Sequence, residues 1–471
     1  MPAPNRVYRL QIETLSPLCI LSGGRLYEEV DFYIDQNNKT TYVINSNAAL
    51  ELALQRWVGR QPSPEQQRAR LMERKERLER RKQQNKNEIK RFDQSPPRDP
   101  VKAEREKQRL ETEAEKIKQE FAKLRAEWEE FEATGGQGPA VPPELLANSG
   151  VSDLLTSKLL TTADFTADSP IVRYSYTGTP EVKTGQSEIL ACVKDVYDRL
   201  YVPGSSLKGA LRTVLAWALA PTRAAQQPLS FTAANDNRKA AAQIEQAIFH
   251  GLKQQDGKRV SHALLLDVLR TVHIGDSRPL AQAPVLLQVR VFPKGSPITV
   301  EAIPAGVTLT AVLQIEQYPF QSPIARQIID FGDWATYLQP AQIAAWGRQR
   351  AKVLIESEQR YFNGRADAAN LSKFYADLRS RLDQLDGTNA FLAPIGWGAG
   401  WQSKTLADRL RDTPQREEQF VQAVKKYNMK LNHQRSERFR AHDVFPATRK
   451  VIVRNKQALL PLGWVCITIG D

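Results

Sequence analysis

From Tyr8 to Leu15 apolar and polar residues largely alternate, the signature of a strand with one face on a core and one face wet. The alternation breaks at Ser16-Pro17, and the stretch through Ser22-Gly23-Gly24-Arg25 reads as a loop whose paired glycines free the backbone for close approach to a ligand. Strands are predicted over 29–34 and 41–44, and a helix over 47–57. After Pro203, Leu207, Leu211, Val214, Leu215, Ala218 and Leu219 recur at helical spacing and predict an amphipathic helix. A helix is also expected over 237–252, and a short strand entering a turn at Val272-His273-Ile274-Gly275-Asp276-Ser277. A second sheet signal begins at Val285, with Leu287, Val289 and Val291 alternating with Gln288 and Arg290. Residues 298–303 and 307–315, separated by Pro304-Ala305-Gly306, read as a hairpin. Helical patterning then dominates 324–385, and strands over 448–454 and 464–469 close the chain.

Between 61 and 134 the pattern changes to dense Arg, Lys, Glu and Gln, which marks an insertion. Leu110, Ala114, Ile117, Phe121, Leu124, Trp128 and Phe131 step by four and three, and Leu71, Leu78, Ile89 and Phe92 form a similar seam upstream. The prolines at 96, 97 and 100 cannot continue a helix, so the expectation is an antiparallel coiled-coil hairpin. Its charges nearly balance, which favours a solvated hairpin packed on itself over a dedicated partner arm. Residues 135–188, rich in Thr, Ser, Asp and Gly, read as an extended loop or β-hairpin. Lys183 there is a candidate phosphate contact, and a plain turn fits equally well. A strand–helix–strand theme stated twice predicts an α+β fold of two tandem units. The first is 1–280, interrupted by the 61–134 insertion, and the second is 281–471.

Composition narrows the function. With 41% hydrophobic and 25% charged residues in 471, and no apolar run of membrane-spanning length, the chain reads as cytoplasmic with no membrane role. Cys19, Cys192 and Cys466 are too scattered for a zinc site or a disulfide framework, so no metal or cofactor is expected. A net charge of +13 suits a polyanionic partner.

Two segments concentrate the chemistry. Pro203-Gly204-Ser205-Ser206-Leu207-Lys208-Gly209-Ala210-Leu211-Arg212 places a turn before a helix whose free N–H groups and dipole attract anions. Ser205 or Ser206 would cap it, and Lys208 and Arg212 lie one turn apart on one face. The same residues fit an ordinary capped helix with two solvated cations equally well. Later, Gly396-Trp397-Gly398-Ala399-Gly400-Trp401-Gln402-Ser403-Lys404-Thr405 interleaves glycines with tryptophans. It misses a Walker A match because Ser403 stands where the second glycine must fold around phosphate, which argues against a nucleotidase. The loop can instead lie against a sugar-phosphate chain, with Gly398, Gly400 and Lys404 as contacts and the tryptophans better read as core residues.

Taken with the opening Pro17-Leu18-Cys19-Ile20-Leu21-Ser22-Gly23-Gly24 and the late Phe445-Pro446-Ala447-Thr448-Arg449, these segments resemble the RAMP proteins of CRISPR systems. Within these the chain is most similar to the family of the fifth Csm subunit of type III-A effector complexes, over roughly 1–60 and 140–471. The resemblance implies two ferredoxin-like (RRM-type) units and a non-catalytic, crRNA-binding structural subunit. That subunit would cap the crRNA 3′-end beside neighbouring RAMP backbone subunits, in antiviral defence, with a host nuclease for guide trimming as a further partner. It also implies guide-backbone contacts at Ser205, Ser206, Lys208 and Arg212, at Gly398, Gly400 and Lys404, and at Gly23 and Arg25.

RAMP relatives include RNA-cutting enzymes, so catalysis needs weighing. A repeat-processing endoribonuclease would use His273, the one histidine in a suggestive loop, but no partner for it is visible in the sequence. A metal-dependent target-RNA slicer would use Asp153, Asp164 or Asp168, for which turn and cap roles are commoner. No catalytic residue is therefore expected.

Overall fold

A computed structural model describes residues 4–60, 63–134, 150–180, 187–226, 232, 234–236, 239–253, 263–406, 408–409, 411, 413–430, 433–455 and 457–470. The strands are β1 (Arg6–Thr14), β2 (Leu21–Tyr27), β3 (Phe32–Asp35), β4 (Thr40–Ile44), β5 (Val172–Thr177), β6 (Glu188–Cys192), β7 (Leu252–Lys253), β8 (Val272–Ile274), β9 (Val285–Phe292), β10 (Pro297–Ala302), β11 (Thr308–Ile315), β12 (Ile329–Asp330), β13 (Ala390–Pro394), β14 (Arg449–Arg454), β15 (Gln457–Pro461) and β16 (Trp464–Gly470). The longer helices are α1 (Ser46–Arg60), α2 (Pro64–Gln94), α3 (Pro100–Ala133), α4 (Gly204–Gln226), α5 (Ala242–Phe249), α6 (Pro340–Phe362), α7 (Ala369–Asp383) and α8 (Pro414–Lys426). Among the described residues no helix is long and apolar enough to cross a membrane. By contacts the chain forms two compact units, Met1–Val43 with Arg173–Asp471, and Ile44–Val172.

The first unit is built on two sheets. One has five strands in the order β13-β16-β1-β11-β8, and the other six in the order β15-β14-β9-β10-β6-β2. β1 is central in the first, pairing antiparallel with both β11 and β16, and its predicted alternation holds: Leu10 and Ile12 are buried while Arg9 and Gln11 are exposed. Along the chain β1, α4, β8, β11, α6 and β16 follow β-α-β-β-α-β, and the four strands lie in the order β16-β1-β11-β8. α4 and α6 pack on each other, α4 against β8 and α6 against β13 and β16. Leu207, Leu211 and Leu215 of α4 join Ile12, Val300, Leu313, Ile343 and Ile467 in one core shared by both sheets.

Strands from either side of residue 280 sit in both sheets, so neither sheet is divided there. The expected hairpin of 298–303 with 307–315 is also replaced. β10 pairs with β9 and β6, whereas β11 pairs with β1 and β8, so Pro304-Ala305-Gly306 carries the chain from one sheet to the other. Thr14, at the end of β1, captures this crossing: its hydroxyl donates to Pro304 O at 2.8 Å and its carbonyl accepts from Gly306 N at 2.6 Å. Gly23-Gly24-Arg25, expected in a loop, lie inside β2, whose register with β6 shifts between Leu21 and Arg25. A smaller sheet, β3-β4-β5, is tied to the six-stranded one through a buried carboxylate. Glu301 of β10 is fully buried and accepts from the hydroxyls of Tyr174 (2.8 Å) and Tyr176, from Cys192 N (2.7 Å) and from Lys194 Nζ.

In the second unit, α2 and α3 run antiparallel, because Arg74 pairs with Glu127, Arg81 with Glu120 and Glu88 with Arg109. Ser63 caps α2 in a capping box with Gln66, and Asp99 caps α3. Of the predicted seam, Leu78, Leu110, Ile117 and Leu124 are buried. Asn85 is buried among them and was missed, since a polar residue breaks the apolar pattern. Residues 150–171 depart from the extended loop expected there. A short helix, Val151–Thr156, packs on α1, and Leu154, Leu159, Leu160 and Phe165 are buried.

Candidate nucleic-acid interface

α4 begins at Gly204 rather than after the serines, which puts Ser205 and Ser206 inside the first turn and not at the cap. The capping group comes from the turn after β8, where Asp276 Oδ1 accepts from Gly204 N at 2.7 Å. A carboxylate thus already occupies the anion position of this helix start. Glycine is required at 204 because a Cβ would stand 2.0 Å from Ile274 O, so the helix start presses on the end of β8. Ser205 is exposed and Ser206 half-buried. Lys208 Nζ donates to Val272 O at 2.8 Å. Arg212 lies between Asp267 (3.1 Å) and Glu245 (3.3 Å), its guanidinium 4.1 Å from the centre of the Phe249 ring. The paired cations foreseen on this face are present, and both have protein partners.

The late glycine loop leaves β13 and turns through Gly396, Gly398 and Gly400, at φ of 77°, 84° and 92°. All three lie in the left-handed region, and a Cβ at Gly396 would also stand 2.4 Å from Cys19 O. Trp397 N donates to that same carbonyl at 2.6 Å. Trp401 packs edge-on against Phe445 at 4.7 Å and Trp397 against the main core, and both stay half-buried. Beneath the loop, buried Arg350 donates to Ser403 O at 2.6 Å. Burial pushes the Arg350 guanidinium down to about 10, so it stays charged at neutral pH. Arg449 is also turned inward, pairing with buried Glu358 at 2.7 Å.

Lys404 at the loop's end is exposed and makes no ion pair among the described residues. Loss of hydration, and then the neighbouring Lys450, lower its pKa. Lys450 stands 5.0 Å from the Trp397 ring centre and was not foreseen, since nothing local to β14 sets it apart. These two ammonium groups repel one another and would both gain from an anion between them.

The two glycine-and-cation segments meet. Arg212, Thr213 and Glu245 on one side and Trp401 and Lys404 on the other line a single groove of 270 Å³, with Phe249 in its apolar wall. Arg25 lies elsewhere, on edge strand β2, pairing with Glu188 at 2.8 Å, with Gly23 beside it at a φ of 88°. Lys183 falls outside the described residues.

For chemistry, His273 does have a partner, contrary to its lone reading: Glu316 Oε1 is 2.7 Å from its Nε2, on an exposed sheet edge. Asp153 accepts from Gly150 N at 3.1 Å as a helix cap. Asp164 is held by Arg56 at 2.6 Å. Asp168 is exposed. Among the described residues no three His, Cys, Asp or Glu side chains cluster as a metal would require.

The model of the RAMP superfamily matches residues 11–317. The chain belongs to that superfamily. Among curated RAMP relatives it is similar to the CRISPR system Cms protein Csm5 of Mycobacterium tuberculosis, from strain CDC 1551 and from strain H37Rv alike. Each is 26% identical over 231 residues, which is 47% of this chain and 52% of the relative, so the chain spans about half the length of the curated relatives it matches. In fold, this RAMP chain is similar to a chain of the cryo-EM structure of a Csm–crRNA–target RNA ternary complex of a type III-A CRISPR-Cas system. There the TM-score is 0.56 at 16% identity, covering 98% of this chain and 100% of that one. It is similar also to the crystal structure of T. onnurineus Csm5, with a TM-score of 0.50 at 15% identity, covering 97% and 99%.

Proposed function

We propose that this chain is a non-catalytic structural subunit of a type III-A effector ribonucleoprotein that grips the crRNA backbone and caps its 3′-end. The observation that carries the reading is that Arg212 of α4 and Lys404 of the glycine loop line one groove, with Lys450 close enough to Lys404 to lower its pKa and neither lysine in an ion pair among the described residues. Similarity to a chain of a Csm–crRNA–target RNA complex supports a place in such an assembly. In this reading the five-stranded sheet with α4 and α6 is a ferredoxin-like unit that runs the length of the chain, the six-stranded sheet is its counterpart, and α2 with α3 form a coiled coil. Ser205, Ser206, Lys208, Gly398 and Gly400 line the guide's path, with Gly23, Arg25 and Lys183 as outlying contacts. RNA phosphates would compete with Glu245, the more exposed of the two Arg212 partners, rather than with Asp267. Such contacts are blind to base sequence and leave the bases for target pairing. Partners are then the crRNA, the adjoining backbone subunits and a trimming nuclease, in the cytoplasm.

Lys404→Ala with Lys450→Ala is the cleanest test, because neither side chain makes an ion pair among the described residues. Guide retention by the assembled complex should fall about tenfold at moderate salt, and the slope of log affinity against log salt should drop by about two. Guide binding and salt slope unchanged by the double substitution would sink the assignment. An endoribonuclease reading draws on the His273–Glu316 pair. Metal-free cutting of repeat RNA by the purified chain, lost in His273→Ala, would establish it in place of the structural one.

A further inference from the structure

The two flanks of the α2–α3 seam are built differently. On one flank Arg74, Arg81 and Glu88, one heptad apart, reach across to Glu127, Glu120 and Arg109 at 2.7, 3.0 and 2.9 Å. Arg81 also reaches Glu113 at 2.6 Å, so the flank is closed by a ladder of interhelical pairs. On the other flank no interhelical ion pair forms among the described residues. Instead Lys75 and Lys82 of α2, and Lys118 and Arg125 of α3, border Phe121 and Trp128 around a groove of 840 Å³. Among the described residues, Lys118 and Arg125 pair only with carboxylates of their own helix, at 3.7 Å. Phe121 and Trp128 stay half-buried while Leu110, Ile117 and Leu124 beside them are 3–4% exposed. Near-neutral net charge, which read as a hairpin packed on itself, hides this sorting of charge by flank.

We propose that the open flank docks an acidic amphipathic helix of a partner protein, laid along the hairpin as a third helix. The spacing fits a helix: Phe121 and Trp128 are separated by about 10.5 Å of rise, two helical turns, so consecutive heptads of a partner meet consecutive aromatics. The charge fits an acidic one, because cations edge the aromatic stripe on both sides, where the flanking rows of a docked helix would lie. A single-stranded nucleic acid fits less well. Lys82 already lies over the Phe121 ring, with Nζ 5.5 Å from its centre. Trp128 Nε1 donates to Glu132 at 3.0 Å, which holds the indole along the helix instead of leaving its face free for a base to stack on. The inference stands on the hairpin alone and is independent of the guide-binding reading.

The test titrates the purified full chain into a fluorescein-labelled peptide of three heptads, Leu at a and d and Glu at e and g, and reads anisotropy. A labelled oligouridine strand is the second probe. The variant carries Lys75→Glu, Lys82→Glu, Lys118→Glu and Arg125→Glu, all at exposed positions. Its helix content is compared with the parent by circular dichroism. The acidic peptide should bind the parent chain and lose at least about tenfold in affinity for the variant. A matching peptide with Lys at e and g should show the opposite preference, which an unfolded variant would not. No binding of the acidic peptide, equal binding of both peptides by both proteins, or oligouridine binding alone that the variant abolishes would each overturn the proposal.

Discussion

Asp164 is gripped from two sides, by both terminal nitrogens of Arg56 at 2.7 and 2.6 Å and by the backbone and hydroxyl of Thr161 at 2.7 and 3.0 Å. The Arg56 guanidinium above all, aided by Thr161, holds its carboxyl down at about 2 against an ordinary 3.8. A depressed folded-state pKa stabilises the fold fully above the unfolded value, and the contribution fades as pH falls from about 4 toward about 2. Asp164→Asn should therefore weaken the unit by about 2 kcal/mol at neutral pH, with the difference vanishing near pH 2, as read by urea unfolding across that range. Residues of this kind show how far the sequence could be read. Asp164 stood out as an acid in a polar stretch, but Arg56 is 108 positions away and no local pattern joins them. Arg212 likewise stood out as a cation on a helix face, while its partner Asp267 is 55 positions along. Local periodicity fixes which way a side chain points, and only the folded chain decides what meets it.

Elements were legible where their period was strong, and β1, α1, α4 and the α2–α3 pair all fall where alternation or helical spacing placed them. Strand partners were not legible at the crossing between β10 and β11. A short Pro-Ala-Gly link serves a hairpin or a step between sheets equally well, and the choice fell to Thr14 on a strand nearly three hundred residues away. Asn85 shows the same limit inside α2. Its Nδ2 donates to Leu110 O at 3.3 Å while its Oδ1 has no hydrogen-bond partner among the described residues, an unfavourable burial in the middle of the seam. Asn85→Leu should stabilise the hairpin by about 1–2 kcal/mol, measured as slower amide exchange in α2 and α3 of the full chain. It should also relax the register that the Asn85–Leu110 bond fixes. Faster exchange in the variant would mean the bond contributes more than the unpaired oxygen costs.

At the scale of the whole molecule, the sheets interleave early and late strands, and residue 280 separates neither. Fragments 1–280 and 281–471, expressed apart, should be insoluble or unfolded by circular dichroism, and together should recover a soluble complex. Two independently folded fragments would support the tandem division read from the sequence. The pairing of β1 with β16 also carries a consequence in time. Leu10 and Ile12 meet Ile469 and Ile467, so β1 waits during synthesis for a partner strand more than four hundred residues downstream. At ordinary elongation rates that delay is on the order of half a minute. Throughout it one edge of β1 lacks its native neighbour, and an open strand edge of this kind is free to pair elsewhere until β16 arrives.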